Sequence, residues 1–183
     1  MSKAGPVLTL LREETGEVHR RLEKRMDAIG RLAEPDTRDD LVQRYHQFHT
    51  AVETAMTPGM ASAQAGDWRR ADRVAEGLGE LGLSPLPAPI LNAFGRAEAL
   101  GALYVLEGSS LGGRVILKDL ARRGADCRGL AFLDPHGESI GVRWRAVVEL
   151  LEGEAADPSG VVAGALAAFG HAQAMLCGQR VAA

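Results

Sequence analysis

The chain has only two cysteines in 183 residues, Cys127 and Cys177, far apart and outside any Cys-x-x-Cys spacing. That excludes a disulfide scaffold and a zinc ribbon. It also lacks a basic excess: 21 Lys and Arg stand against 24 Asp and Glu, a formal net charge of -3. A nucleic-acid partner is therefore not expected, because such proteins need a cationic footprint. No run of about 18 consecutive apolar residues occurs, and no apolar signal core follows Met1. The expectation is a cytoplasmic protein without a membrane partner. Alternating strand patterns, tandem repeats and low-complexity tracts are missing as well, which leaves helices as the only regular element.

Helical periodicity is abundant. The hydrophobic fraction of 46% and charged fraction of 25% suit one globular domain spanning residues 1–183. Leu8, Leu11, Val18, Leu22, Met26 and Ile29 recur at helical spacing, which predicts a helix from Val7 to Ile29 opened by Pro6 and stopped at Gly30. A second helix is expected from Asp36 or Thr37, with Leu41, Tyr45, Phe48 and Val52 on one face and Pro58-Gly59 ending or kinking it. Ala61 to Leu83 reads as partly helical with a break at Gly77 to Gly82, and the prolines of Ser84 to Pro89 forbid helix. The longest helix is expected over Ile90 to Arg123, stopped by Gly124; Asp126 to Gly141 reads as loop, though Leu130 to Leu133 is ambiguous. Shorter helices follow over Gly141 to Gly153 and Val161 to Val181. The fold class is all-α, a single-domain helical bundle.

Gly108, Gly112 and Gly113 interrupt the long helix beside Ser109 and Ser110. Each interior glycine costs about 1 kcal/mol relative to alanine, so something must compensate. Gly108 and Gly112 lie four apart and share a face. Either a second helix packs unusually close there, or a flat ligand lies against bare backbone. A phosphate-binding loop is excluded, since the Gly-Lys-Ser/Thr ending is missing.

In the first helix Leu11, Thr15 and His19 follow at four-residue steps, which puts His19 at the edge of the buried stripe. Neutral imidazole is a strong iron ligand whose second nitrogen needs a partner. Glu23, one turn on, can supply it. A lone boundary histidine more often binds nothing.

The two signals together resemble a known family. Leu11-Arg12-x-x-Thr15-x-x-x-His19 is similar to the proximal-helix motif of the heme oxygenase superfamily. Tyr104-Val105-Leu106-Glu107-Gly108-Ser109-Ser110-Leu111-Gly112-Gly113-Arg114-Val115-Ile116 resembles its distal-helix motif. The likeness is greatest to the bacterial, biliverdin-producing branch that includes bacteriophytochrome-associated enzymes. Tyr45 to Glu53, and Gly137 to Leu151 with Gly141 and Trp144, extend the resemblance more weakly.

The resemblance implies that heme, substrate and cofactor at once, lies between the first (proximal) helix and the glycine-interrupted distal helix. His19 would be the axial ligand of the heme iron. Gly108, Ser109 and Gly112 would form the catalytic distal wall, and Arg12, Thr15, Tyr104, Gly113 and Arg145 would complete the cofactor-binding set. Arg12 and Arg145, with Arg143 as a further candidate, would meet the propionates. The reaction implied is oxidative opening of heme to biliverdin, carbon monoxide and iron, using dioxygen and electrons from a ferredoxin or reductase. A bacteriophytochrome is the implied receiver of the biliverdin.

Three positions depart from common family patterns. Ser109 replaces an aspartate found in animal-type members, His136 stands where an aromatic residue is common, and Phe169 to Cys177 matches the last helix only loosely. Rival readings are a heme-binding or heme-sensing module without turnover, a structural or interaction protein, and a diiron protein using His46, His49 and Glu53. The last is disfavoured because no Glu-x-x-His occurs, and His46 and His49 are expected to face solvent.

Overall fold

The computed structural model describes residues 5–61, 67–154 and 157–178, and every regular element among them is helical. The first helix, α1, spans Pro6–Met26 and buries Val7, Leu8, Leu11, Thr15, Leu22 and Met26. Pro6 opens it as expected, but no side chain of its own caps it. Glu152 of a distant helix does so instead, accepting from the amides of Val7 (3.2 Å) and Leu8 (2.9 Å). Those amides would otherwise be orphaned donors.

The expected continuation to Ile29 breaks at Asp27, which takes a left-handed conformation (φ 43°, ψ 54°). Short polar residues tolerate that region. Its carboxylate then accepts from the amide of Gly30 (3.3 Å) and caps α2, Ala28–Ala33. Asp27 is thus both stop and start, and Gly30 lies inside the second segment rather than ending the first.

Helix α3, Pro35–Met60, starts at Pro35. The Thr37 hydroxyl, expected as a cap, donates to Arg31 O (2.7 Å) and ties α3 to α2. Pro58 sits inside the last turn without ending it; one lost bond so close to the terminus is tolerable. Helix α4 spans Ala71–Glu80, so the break expected in the Gly77 to Gly82 region falls at its far side, and the helix runs through Gly77. Gly77 is buried because the Gly129 carbonyl lies where its side chain would be. The real stop is Gly82, at φ 70°.

From residue 83 to 95 the chain is extended, held to α3 by Gln43 donating to Ser84 O (3.1 Å) and Gln47 to Pro87 O (2.7 Å). The Phe94 amide is taken by Ala55 O (2.8 Å), and helix α5 begins at Arg96 rather than Ile90, ending at Arg122 before Gly124 (φ 71°). The loop that follows contains short 3-10 turns at Ala131–Leu133 and Gly137–Ser139, and it buries Leu130, Phe132 and Leu133. Helix α6 spans Ile140–Glu154, and α7 spans Pro158–Leu176 with Asp157 as its cap. The expected extension of the last helix to Val181 lies outside the described residues.

Helices α5 and α7 form the centre, and α7 also packs on α1 and α3. Their crossing is nearly backbone on backbone. A side chain on Gly101 would strike the Val161 carbonyl, and one on Gly164 would strike the backbone of Glu98. By length and composition α7 is apolar enough to cross a membrane, but here it is the core helix, burying Val161, Gly164, Ala165, Ala168, Phe169, Ala172 and Leu176.

Gly101→Ala should destabilise the protein by about 1–3 kcal/mol through overpacking. Gly170→Ala, whose side chain meets nothing within 4 Å, should stabilise it by up to about 1 kcal/mol. Urea unfolding of both would decide; equal effects would refute the close crossing.

Candidate functional site

His19 projects from the exposed edge of α1, with its side chain 54% accessible. Its Nε2 lies 3.4 Å from Glu23 Oε1, the partner expected from the spacing. The ring leans on Phe169 of α7, with centroids 5.5 Å apart. The loosely matching last helix thus supplies a buried aromatic backing. Thr15 is buried and its hydroxyl donates to Leu11 O (2.6 Å), so its polarity is spent on the backbone of α1. Arg12 is exposed.

The glycines of α5 divide into two kinds. Nothing lies within 4 Å of where a Gly112 side chain would sit, and at Gly108 the nearest atom is Trp144 Cζ3, an ordinary 3.6 Å away. Gly113 is different: the Leu133 carbonyl occupies its side-chain position. Close packing therefore explains Gly113, and open backbone is left at Gly112. Ser109 is exposed and donates to Leu106 O (2.7 Å). Tyr104 is half-buried, 5.9 Å from the Trp144 ring. Helices α6 and α7 both bridge α1 to α5; Trp144 meets Gly108 from one, and Phe169 meets His19 from the other.

Arg145 is exposed on α6. Arg143 turns inward, and its Nε donates to Glu107 Oε1 at 2.9 Å while Nη2 binds the same oxygen. The expectation that Arg143 could meet a propionate is corrected by this ion pair. Glu107 is the centre of a buried cluster. Its Oε2 accepts from Arg70 Nη2 at 2.8 Å and lies 3.1 Å from His136 Nε2. Arg70 Nη2 also reaches His136 Nε2 at 2.9 Å and Ser110 Oγ at 3.4 Å. Burial, then the Arg70 cation, push the His136 pKa below its usual value, against the opposing pull of Glu107. Near neutral pH the imidazole is uncharged. Because guanidinium only donates, Nε2 accepts from Arg70.

Sequence reasoning missed Glu107, Arg70 and Ser110 as a cluster. The available signal was a charge at Glu107 directly after the apolar run Leu103 to Leu106. Arg70, immediately before α4, offered none.

His49 and Glu53 correct a further expectation. Of His46 and His49, both expected to face solvent, His46 is half-buried and His49 is buried, its Nδ1 3.0 Å from Oε1 of the buried Glu53. Glu53 also accepts from the amides of Arg70 (2.8 Å) and Ala71 (3.2 Å), capping α4. Its oxygens are committed to the fold. Among the described residues no group of three or more His, Cys, Asp or Glu is placed to hold a metal ion.

No protein-family model matches the chain. A heme oxygenase of Xanthomonas campestris is 32% identical over 159 residues, covering 80% of this chain and 93% of the relative. Among solved structures, the NO- and CO-bound heme oxygenase from Neisseria meningitidis superposes with a TM-score of 0.78 at 23% identity, covering 95% of this chain and 94% of that one. Heme oxygenase 2 from Chlamydomonas reinhardtii, solved without heme, gives 0.71 at 17% identity over 94% and 96% of the two chains. The two structures share the fold, and the Xanthomonas sequence carries the assignment: this chain belongs to the heme oxygenase family.

Proposed function

We propose that this heme oxygenase binds heme between α1 and α5, with His19 on the iron and, across the ring, the helix face of Gly108 and Gly112, covered by Trp144 at Gly108 and open at Gly112. The observation that carries this reading is the pairing of an exposed, partnered imidazole with a helix face that nothing fills at Gly112. Flat apolar ligands need an aromatic-lined slot with few polar anchors, and Phe169, Trp144 and Tyr104 supply the aromatic walls. Bound heme supplies the iron at which dioxygen is activated and the carbon skeleton that is opened to biliverdin, carbon monoxide and iron.

The protein's own groups orient and exclude. Glu23, whose Oε1 lies 3.4 Å from His19 Nε2, would orient the ring from that side and leave the other nitrogen for the metal. Thr15 anchors the turn before His19 through Leu11 O. Ser109 keeps lone pairs after donating to Leu106 O, so it accepts from a water above the ring. Arg12 and Arg145, both exposed, meet the propionates at the rim. Gly113 supports the site by letting the Leu133 loop seat on α5.

Electrons come from outside the chain, from a ferredoxin or reductase. The Tyr104 to Ile116 motif, with Ser109 after its first glycine, supports membership of the bacteriophytochrome-associated branch, in which the biliverdin is handed to a photoreceptor.

Hemin titration of the parent should give a sharp Soret band, followed by a bilin absorbance once reductant and air are supplied with catalase present. In His19→Ala the band should shift or vanish while helical circular dichroism is kept, since the residue is exposed. An unchanged spectrum would remove His19 from the iron, and a stable Soret band in the parent under competent electron donors would leave binding without turnover.

Gly112→Leu and Gly113→Ala should fail differently. Filling the open face at Gly112 should weaken heme binding about tenfold, or about 1.4 kcal/mol, with little loss of stability. Gly113→Ala should cost about 1–3 kcal/mol of stability by pressing on the Leu133 backbone, whether or not heme is present. Heme titration beside thermal unfolding separates them; a Gly112→Leu protein with parental heme affinity would place the ligand elsewhere.

A further inference from the structure

Helix α6 is anchored unevenly. Its described core residues are Val147 and Leu151, both past its first half. Its C-terminal half is also tied by polar contacts, Glu152 capping α1 and Arg96 pairing with Glu154. The N-terminal half is mostly at the surface, with Val142 62% exposed, yet it carries Trp144, the side chain over Gly108. A direct ionic hold on that half is Arg143 on Glu107, whose side chain is 1% exposed.

We infer that Glu107 is a positioning residue for the distal wall: by gripping Arg143 it seats the first turns of α6, and so fixes Trp144 over Gly108. This rests on the slot proposed between α1 and α5.

The cluster has the right construction for such a hold. Oε1 of Glu107 takes Arg143 and Oε2 takes Arg70, with His136 beside it. Each oxygen therefore ties a different segment to α5, α6 on Oε1 and the chain before α4 on Oε2, and Arg70 in turn donates to His136 of the 134–137 loop. A charge-assisted pair with two guanidinium nitrogens on one carboxylate oxygen is strong and directional. Lysine at 143 would keep the charge and lose the fork. Because Arg143 and Trp144 are consecutive, loosening one displaces the other. A displaced wall misplaces the bound ring, and errors of about 1 Å in such positioning can cost on the order of a hundredfold in rate.

The test uses the full chain in a Trp68→Phe background, so that Trp144 is the sole tryptophan emitter. In Arg143→Met, acrylamide should quench Trp144 of the heme-free protein more readily than in the parent. Turnover should fall on the order of tenfold, with heme KM within about twofold, because the residue aligns rather than binds the substrate. Arg143→Lys should lie between, and Glu107→Gln should move Trp144 the same way as Arg143→Met. Parental quenching together with parental kcat in Arg143→Met would overturn the inference, as would equal losses in Arg143→Lys and Arg143→Met. Should Arg143→Met not fold, Arg143→Lys against the parent is read by the same criteria. His19→Ala run in parallel keeps the two readings apart: a heme spectrum indifferent to His19 refutes the slot, while the heme-free quenching still decides whether Arg143 holds α6.

Discussion

The crossing of α5 and α7 sets the distances on which the rest of the molecule depends. Gly101 meets the Val161 carbonyl and Gly164 meets the backbone of Glu98, so the two helices approach as closely as backbone allows. Small residues keep the contact thin, Gly101 facing the Ala165 amide and Gly160 facing Ala97. Packed interiors transmit small displacements rather than absorbing them. A wider crossing would carry Phe169 away from its place beside His19, and would change the span between α1 and the glycine face of α5. An alanine-rich helix with few large side chains is therefore suited to the centre, where a leucine-rich one would hold the walls apart.

Around that crossing the bundle depends on carboxylates acting between elements. Glu152 caps α1 from α6, Glu53 caps α4 from α3, and Glu107 joins α5 to α6 and to the chain before α4. A buried ion pair is a poor source of net stability, because desolvation offsets most of the attraction. The Glu107 cluster is better understood as a source of geometry, since removing one partner leaves a buried charge uncompensated. Two guanidiniums on one carboxylate also leave a positive surplus within a turn of Gly108. A neutral His136 accepting from Arg70 limits that surplus, and the direction of its pKa shift agrees. The same contacts that fix the wall therefore also set the electrostatic character behind it.

Much of this was legible in the sequence, and its limits were physical. The existence of α1 and α3 follows from apolar periodicity, expected from Val7 to Ile29 and from Asp36 or Thr37 to Pro58-Gly59, and the pairing of His19 with Glu23 from a four-residue step. What escaped were effects that depend on distant partners. Asp27 ends α1 because its side chain can serve the next segment, which no local propensity distinguishes from an ordinary surface aspartate. Helix α5 starts at Arg96 instead of Ile90 because the preceding strap is tied to α3, the Phe94 amide donating to Ala55 O (2.8 Å) where a helix begun at Ile90 would turn it to the Ile90 carbonyl. His49 is buried because Glu53 is there to pair with it, whereas hydropathy alone assigns a histidine to the surface. The likeness to the distal-helix motif drew attention to Glu107 only as one letter of a pattern. Its role depends on Arg70 and Arg143, which are far from it in sequence.

Four glycines, Gly101, Gly108, Gly112 and Gly113, fall within the single helix α5. At about 1 kcal/mol each relative to alanine, they lower its intrinsic stability by roughly 4 kcal/mol. Burial of Leu100, Leu103, Val105, Leu106 and Leu120 offsets this, since each fully buried aliphatic side chain contributes on the order of 2 kcal/mol. Gly101 and Gly113 return their cost as close contacts with α7 and the Leu133 loop. Gly112 returns nothing to the fold, because no atom approaches it, and Gly108 returns only an ordinary contact with Trp144. An alanine at 112 would stabilise the helix and meet no obstruction within it. On the reading proposed above, a residue that costs stability and gains no packing is accounted for by what it leaves open, which at Gly112 is backbone that a flat ligand can approach.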